Sequence, residues 1–196
     1  MHRLISVLGA LALFCGCSSS SNDLTSAAGV GEPCVPHDEN NSKFSGFSAD
    51  EVSVETGTPA CQTQLCLINK FQGRVTCPYG ATGTEGECPL PGTDPNSSDP
   101  ADKVSVAVAP QLVDRREDDA VYCSCRCANS DGRTDDGAAY CACPTGFSCE
   151  QLLGDVGVGD SASIAGGYCV KAGTNQAPSG PSCSETAQNC AAKYEY

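Results

Sequence analysis

The sequence predicts a small, disulfide-rich, mainly β protein: short strands and hairpins joined by long loops, with a short C-terminal helix. Three observations carry that prediction. The chain has 196 residues and 16 cysteines. Of the roughly 180 residues after position 16, 26 are Leu, Ile, Val or Phe. That is about 14%, below the ~20% under which a highly charged chain cannot fold on apolar burial alone. The apolar residues that are present recur mostly with period 2, as in half-buried strands. The formal net charge is −13, from 24 Asp+Glu and 11 Lys+Arg. Such a balance argues against nucleic acid, whose phosphates need clustered Lys and Arg, and against adsorption on anionic lipid.

Met1, His2 and Arg3 make a basic start, and residues 4–14 form a mostly apolar run of eleven. Eleven residues are too few to span a bilayer as a helix, which needs ~20, but they suit the core of a secretory signal. Gly16-Cys17 follows. The stretch LFCGC resembles the lipobox of bacterial lipoproteins. Gly16 fits the position before the modified cysteine, whereas Phe14 and Cys15 depart from the pattern. The resemblance implies a signal peptide over 1–16 and a lipid on Cys17. It places the protein in the bacterial cell envelope, held to the membrane and facing the periplasm or the cell surface. Residues 17–33 then form a flexible tether. Its small, polar residues 18–33 span roughly 22 Å root-mean-square.

After Cys17 the cysteines are Cys34, Cys61, Cys66, Cys77, Cys88, Cys123, Cys125, Cys127, Cys141, Cys143, Cys149, Cys169, Cys183 and Cys190. Fourteen is even, so all can pair and none is left over. A first cysteine-rich module is expected over 34–92. It holds a strand at 51–55, a second apolar stretch at 61–71, a turn at 72–74 and another extended piece from 75 to 77. Residues 93–102 form a Pro/Asp-rich linker. The second module runs over 103–196. Val104, Val106 and Val108 alternate with small residues and predict a half-buried strand ending at Pro110. Residues 114–119, DRREDD, read as a charged loop. Residues 120–127 and 139–143 alternate again, which predicts a β-hairpin over 120–143 closed by a long acidic loop. Residues 167–171 predict another strand. Ser182 and Glu185 have capping-box spacing, so a helix is expected over 183–193, with Cys183 and Cys190 on one face. The first module holds five cysteines and the second nine. Both numbers are odd, so complete pairing requires a disulfide between the two.

Cys123, Cys125 and Cys127, with Cys141 and Cys143, are the sharpest local pattern. In a strand, residues two apart lie ~6.6 Å apart with parallel side chains, too far for a disulfide with each other. Each should therefore bond to another segment. A soft-metal thiolate cluster is the competing use, and redox chemistry, which favours Cys-x-x-Cys, is a third. Ca²⁺ could use Asp131, Asp135 and Asp136, or Asp114, Glu117, Asp118 and Asp119, but neither group follows the EF-hand order. His37 is the sole histidine after the signal and reads as a solvated loop residue. No catalytic residue, metal site or cofactor is assigned, and the chain is not expected to be an enzyme.

Residues 141–149, CACPTGFSC, resemble the end of an EGF-like module, but the spacing after Phe147 departs from it. What remains is a Gly-aromatic turn between disulfides. Taken together, SGFS, FQGRVTCPYG, YCSCRC and CACPTGF are similar to a group of cysteine-rich predicted lipoproteins of gliding soil bacteria, a resemblance that implies no activity. The expectation is a lipid-anchored envelope protein with a disulfide-stapled, non-enzymatic binding or structural module. Its partner would be an envelope protein or polysaccharide. The alternative is a metal-binding protein.

Overall fold

The computed structural model describes residues 29–83, 88–155, 164–184, 186–187 and 189–190. The predicted signal, Cys17 and most of the tether lie outside them, as does part of the predicted C-terminal helix. The described chain is mainly β. Its strands are β1 (Val52–Thr56), β2 (Leu65–Asn69), β3 (Ala81–Thr82), β4 (Ala107–Val108), β5 (Val121–Cys123), β6 (Arg126–Ala128), β7 (Phe147–Leu153) and β8 (Gly166–Lys171). Helical elements described from end to end are short: α1 (Glu117–Ala120) and 3-10 turns at His37–Asn40 and Pro100–Asp102. No described helix is long and apolar enough to cross a membrane.

All strand pairing is antiparallel, in sheets ordered β1-β2-β5, β3-β4 and β6-β8-β7. β2 is buried on both faces, which is why its LCLIN run does not alternate in polarity. Its Cys66 and Ile68 pack with Phe71, Val121 and Cys123 on one side. Leu65 and Leu67 face the other way, with Tyr122, Tyr168 and Val170. Tyr168 and Val170 belong to β8, so this second cluster joins the two three-stranded sheets into one core. Leu67, Ile68 and Val170 are completely buried. Each contributes roughly 1.5–3 kcal/mol by leaving water.

The fourteen cysteines of the body form seven disulfides: Cys34–Cys66, Cys61–Cys123, Cys77–Cys88, Cys125–Cys141, Cys127–Cys149, Cys143–Cys169 and Cys183–Cys190. Cys123, Cys125 and Cys127 each bond to a different segment. Cys61–Cys123 ties the stretch before residues 93–102 to the stretch after it. Two sheets cross the same line, through the β2–β5 and β3–β4 pairings. Residues 93–102 are themselves folded into an ordered loop. The Leu90 amide donates to the Asp102 carbonyl (2.8 Å), the Ser97 hydroxyl to the Asp102 carboxylate (2.6 Å), and the Lys103 ammonium to the Pro95 carbonyl (2.8 Å).

Several elements differ from the sequence expectation. The hairpin over 120–143 does not form. The chain crosses from one sheet to another at Ser124, whose amide donates to the Leu65 carbonyl (3.0 Å) on β2. Its hydroxyl donates to the Cys169 carbonyl (2.8 Å) on β8. β5 therefore pairs with β2, and β6 with β8. Residues 139–143 are not a strand; they are held to β6 by a backbone bond from Cys141 to Arg126 and by Cys125–Cys141. DRREDD is not simply a solvated loop, because it contains α1 and buries Arg115 and Glu117. Residues 75–77 make a tight turn closed by the Cys77 amide on the Arg74 carbonyl (3.3 Å). In the predicted C-terminal helix, residues 186–187 lie in a turn instead. A helix would hold Cys183 and Cys190 about 10.5 Å apart along its axis, but their disulfide brings the Cα atoms to 5.3 Å. β7 was not anticipated, because its FSCEQLL run is only partly buried. The Val104–Val108 alternation does correspond to burial: Val104 and Val108 are inside and Ser105 and Ala107 outside.

Candidate functional site

An open groove of about 910 Å³ lies between the His37–Asn40 turn and the end of β1. Its lining includes Pro33, Val35, His37, Asp38, Asn40, Glu55 and Thr58. One wall is closed by the His37 backbone amide, which donates to a Glu55 carboxylate oxygen (2.6 Å). The disulfide Cys34–Cys66 bolts the groove's first strand of chain to β2. His37 itself is exposed, as expected of a solvated loop residue.

Between the groove-lining Asp38 and Asn40, Glu39 turns inward to join Arg74 in a buried ionisable pair that sequence reasoning did not find. Glu39 and Arg74 are both fully buried. The Glu39 carboxylate accepts the Val75 amide (2.5 Å), the Thr76 amide (3.2 Å) and the Thr76 hydroxyl (3.3 Å). Arg74 answers by donating to the backbone carbonyls of Asn41 (3.1 Å), Phe44 (2.9 Å) and Glu39. Its guanidinium also sits 5.6 Å from the centre of the Phe44 ring. The two side chains thus clamp residues 39–44 onto the 74–77 turn. Burial pushes the Glu39 carboxyl up from its ordinary 4.5 to about 7, outweighing the amide bonds and the Arg74 charge that hold it down. Nothing local in PHDENN or QGRVT marks Glu39 or Arg74 as interior. Gln111 and Arg115 were missed for the same reason: Gln111 donates to the Arg74 carbonyl (3.0 Å), and Arg115 donates to the Thr174 and Gln176 carbonyls.

The acidic residues considered for Ca²⁺ are spread over different tasks. Asp136 accepts from Asn129 (2.9 Å), the Tyr140 hydroxyl (2.8 Å) and the Ala138 amide (3.1 Å). These bonds hold its carboxyl down at about 2. Asp135 pairs with Arg133 on the surface (2.9 Å). Asp114 accepts the Ser179 amide (2.9 Å), Asp119 pairs with Lys171 (2.6 Å), and Asp118 faces Arg116 (3.7 Å). Glu117 is buried and Asp131 is exposed. The loop over 129–137 is ordered by the Asn129 side chain, which accepts the Asp131 and Arg133 amides (3.0 and 2.8 Å).

Cysteine sulfurs gather in three groups whose members lie within 4.8 Å of one another: Cys34, Cys61 and Cys123; Cys125, Cys141 and Cys169; Cys127, Cys143 and Cys169. Every one of these sulfurs is at bonding distance from another cysteine. The clusters are thus compatible with disulfides rather than with a thiolate metal centre, since only the thiolate is a metal ligand. The EGF-like stretch forms the turn its Gly-aromatic pair suggested. Gly146 adopts a φ of 91°, the Phe147 amide donates to the Pro144 carbonyl (3.0 Å), and the Phe147 ring meets Tyr122 edge-on at 5.5 Å. No family model, no curated protein and no solved structure matches this chain.

Proposed function

We propose that this chain is a bacterial lipoprotein of the cell envelope, anchored through lipid on Cys17, whose stapled body is a non-enzymatic binding module. The observation that carries the binding reading is the fixed groove beside His37. Its lining residue Cys34 is bonded to Cys66 on β2, and its Asp38 and Asn40 flank Glu39, whose buried side chain is anchored to the 74–77 turn. A ligand there meets surfaces that need no ordering, which lowers the entropy cost of association. Asp38 and Glu55 offer carboxylates, which accept only, and Asn40 offers an amide. The groove therefore suits an envelope partner that donates hydrogen bonds, through hydroxyl or amine groups. It opens beside Pro33, just after residues 31–33, which the expectation gave to the tether but which pair with β5 through the Gly31 amide on the Cys123 carbonyl (2.8 Å), so the site lies close to the tether's attachment to the body.

Cys17→Ser tests the anchor. Wild type should partition into detergent, and the variant should remain unprocessed and leave that phase. Identical partition and mobility would end the lipoprotein reading. Asn40→Ala/Glu55→Ala tests the groove: material that co-purifies with wild type from the envelope should be lost, with the melting transition retained. Unchanged co-purification would move the binding surface elsewhere.

A further inference from the structure

Three disulfides are stacked at the β6-β8-β7 sheet. Cys169, completely buried on β8, is bonded to Cys143. Its sulfur also lies 3.6 Å from Cys125 Sγ and 3.6 Å from Cys141 Sγ, the two halves of the neighbouring bridge. On the other side, the sulfurs of Cys127, Cys143 and Cys169 lie within 4.8 Å of one another, and Cys127 is bonded to Cys149. Exposure is graded across the stack. Cys149 is exposed and Cys141 and Cys143 are half-buried, whereas Cys127 and Cys125 are buried.

Thiol–disulfide exchange needs a thiolate in reach of a disulfide sulfur, and access for the first attacking thiol. The stack has both. A second group, Cys34–Cys66 beside Cys61–Cys123, also brings sulfurs of its two bridges within 4.8 Å of one another but is enclosed, with each of its cysteines 3% exposed or less. Proximity without access makes it an internal control.

We propose that Cys125, Cys127, Cys141, Cys143, Cys149 and Cys169 form a thiol–disulfide exchange relay that takes a dithiol reductant as its substrate, is attacked at Cys149, and uses Cys169 as its hub. One thiolate of the reductant bonds to Cys149 Sγ. The Cys127–Cys149 bond breaks, and its electron pair leaves on Cys127. The reductant's second thiolate then closes a cyclic disulfide and releases Cys149. The reductant is oxidised by two electrons, one protein disulfide is reduced, and the reductant's two protons end on cysteine sulfur or in solvent. The later steps consume nothing further. The Cys127 thiolate bonds to Cys143 and expels Cys169. The Cys169 thiolate bonds to Cys125 or Cys141 and expels the other. A thiol created at the edge strand β7 thus moves into the attachment of residues 138–143, while the β1-β2-β5 sheet keeps its bridges. This inference does not depend on the lipid anchor or the groove.

The test treats oxidised, full-length protein with one equivalent of dithiothreitol, traps free thiols with N-ethylmaleimide after increasing delays, and maps the label by peptide mass spectrometry. Label is expected on Cys149 at all delays. The second label should begin on Cys127 and move with time to Cys169 and then to Cys125 and Cys141, while Cys143, which only exchanges one bridge for another, stays unlabelled. Cys34, Cys61, Cys66 and Cys123 should carry about tenfold less, as access dictates. Label confined to Cys127 and Cys149 at every delay, or spread evenly over all seven bridges, overturns the relay. In a Cys143→Ala/Cys169→Ala variant, label should stay on Cys127 and Cys149. Label still reaching Cys125 and Cys141 would remove Cys169 as hub. If that variant does not fold, the wild-type time course decides alone.

Discussion

Removing the Cys61–Cys123 bridge should cost this protein about 4 kcal/mol through the unfolded chain alone. The bridge closes a loop with a sequence separation of 62. Loop-closure entropy for about 62 residues is about 14 cal/mol/K, or about 4.3 kcal/mol at 25 °C. Cys77–Cys88 lies inside this loop and shortens it by about ten residues, which lowers the figure by only ~0.2 kcal/mol. Alanine is the substitution to use at both positions. Cys61 is 2% and Cys123 0% exposed, so serine would add a buried hydroxyl costing a further ~1–3 kcal/mol. Urea unfolding of Cys61→Ala/Cys123→Ala, followed by circular dichroism, reads the effect. With a slope of ~2 kcal/mol/M for a chain of this size, the midpoint should fall by about 2 M. The bridge is also the one among the seven that spans residues 93–102. Protease nicking there should leave unreduced wild type as one band on a denaturing gel and the double variant as two. A midpoint shift below about 0.5 M, or a nicked variant that stays joined without reductant, would refute the reasoning.

Glu39 predicts stability that falls as pH rises. Its carboxyl is protonated more readily in the folded protein, at about 7 against an ordinary 4.5. Its contribution is therefore complete below pH 4.5 and is lost as pH rises through 7, a difference of about 3 kcal/mol. Glu39→Gln cannot titrate, so urea midpoints measured from pH 4.5 to 8 should fall less steeply than in wild type. Equal slopes would count against a buried, titrating Glu39. Gly73→Ala should destabilise by about 2 kcal/mol or more. Its φ is +90°, and an added Cβ would lie 2.5 Å from the Ala109 carbonyl oxygen. Gly57→Ala, at φ +76° in open space, meets only the backbone penalty of about 1 kcal/mol. Thermal melts that rank the two variants the other way would disprove the close contact.

The sequence by itself determined what kind of stabiliser this protein uses. A chain with only 26 large aliphatic or Phe residues after position 16, and fourteen cysteines from Cys34 onward, has to be stapled. The even count leaves no orphan, and the odd division around residues 93–102 demands a bridge across them. These are matters of counting. Extended segments were equally legible in 51–55, 104–108 and 167–171, although burial alternates only in 104–108, and β8 is buried at every position from Gly166 to Val170. The sequence could not say which cysteine bonds to which, since fourteen allow 135135 patterns. Nor could it show that the chain changes sheets at Ser124. Alternation in YCSCRC specifies extended backbone, but the pairing partner is chosen by Leu65 on one side and Cys169 on the other, about 60 and 45 residues away in sequence. Burial of Glu39, Arg74, Gln111 and Arg115 was hidden for a related reason. A charged or amide side chain goes inside only where distant backbone groups satisfy it, and those groups converge on it only once the tertiary fold has formed.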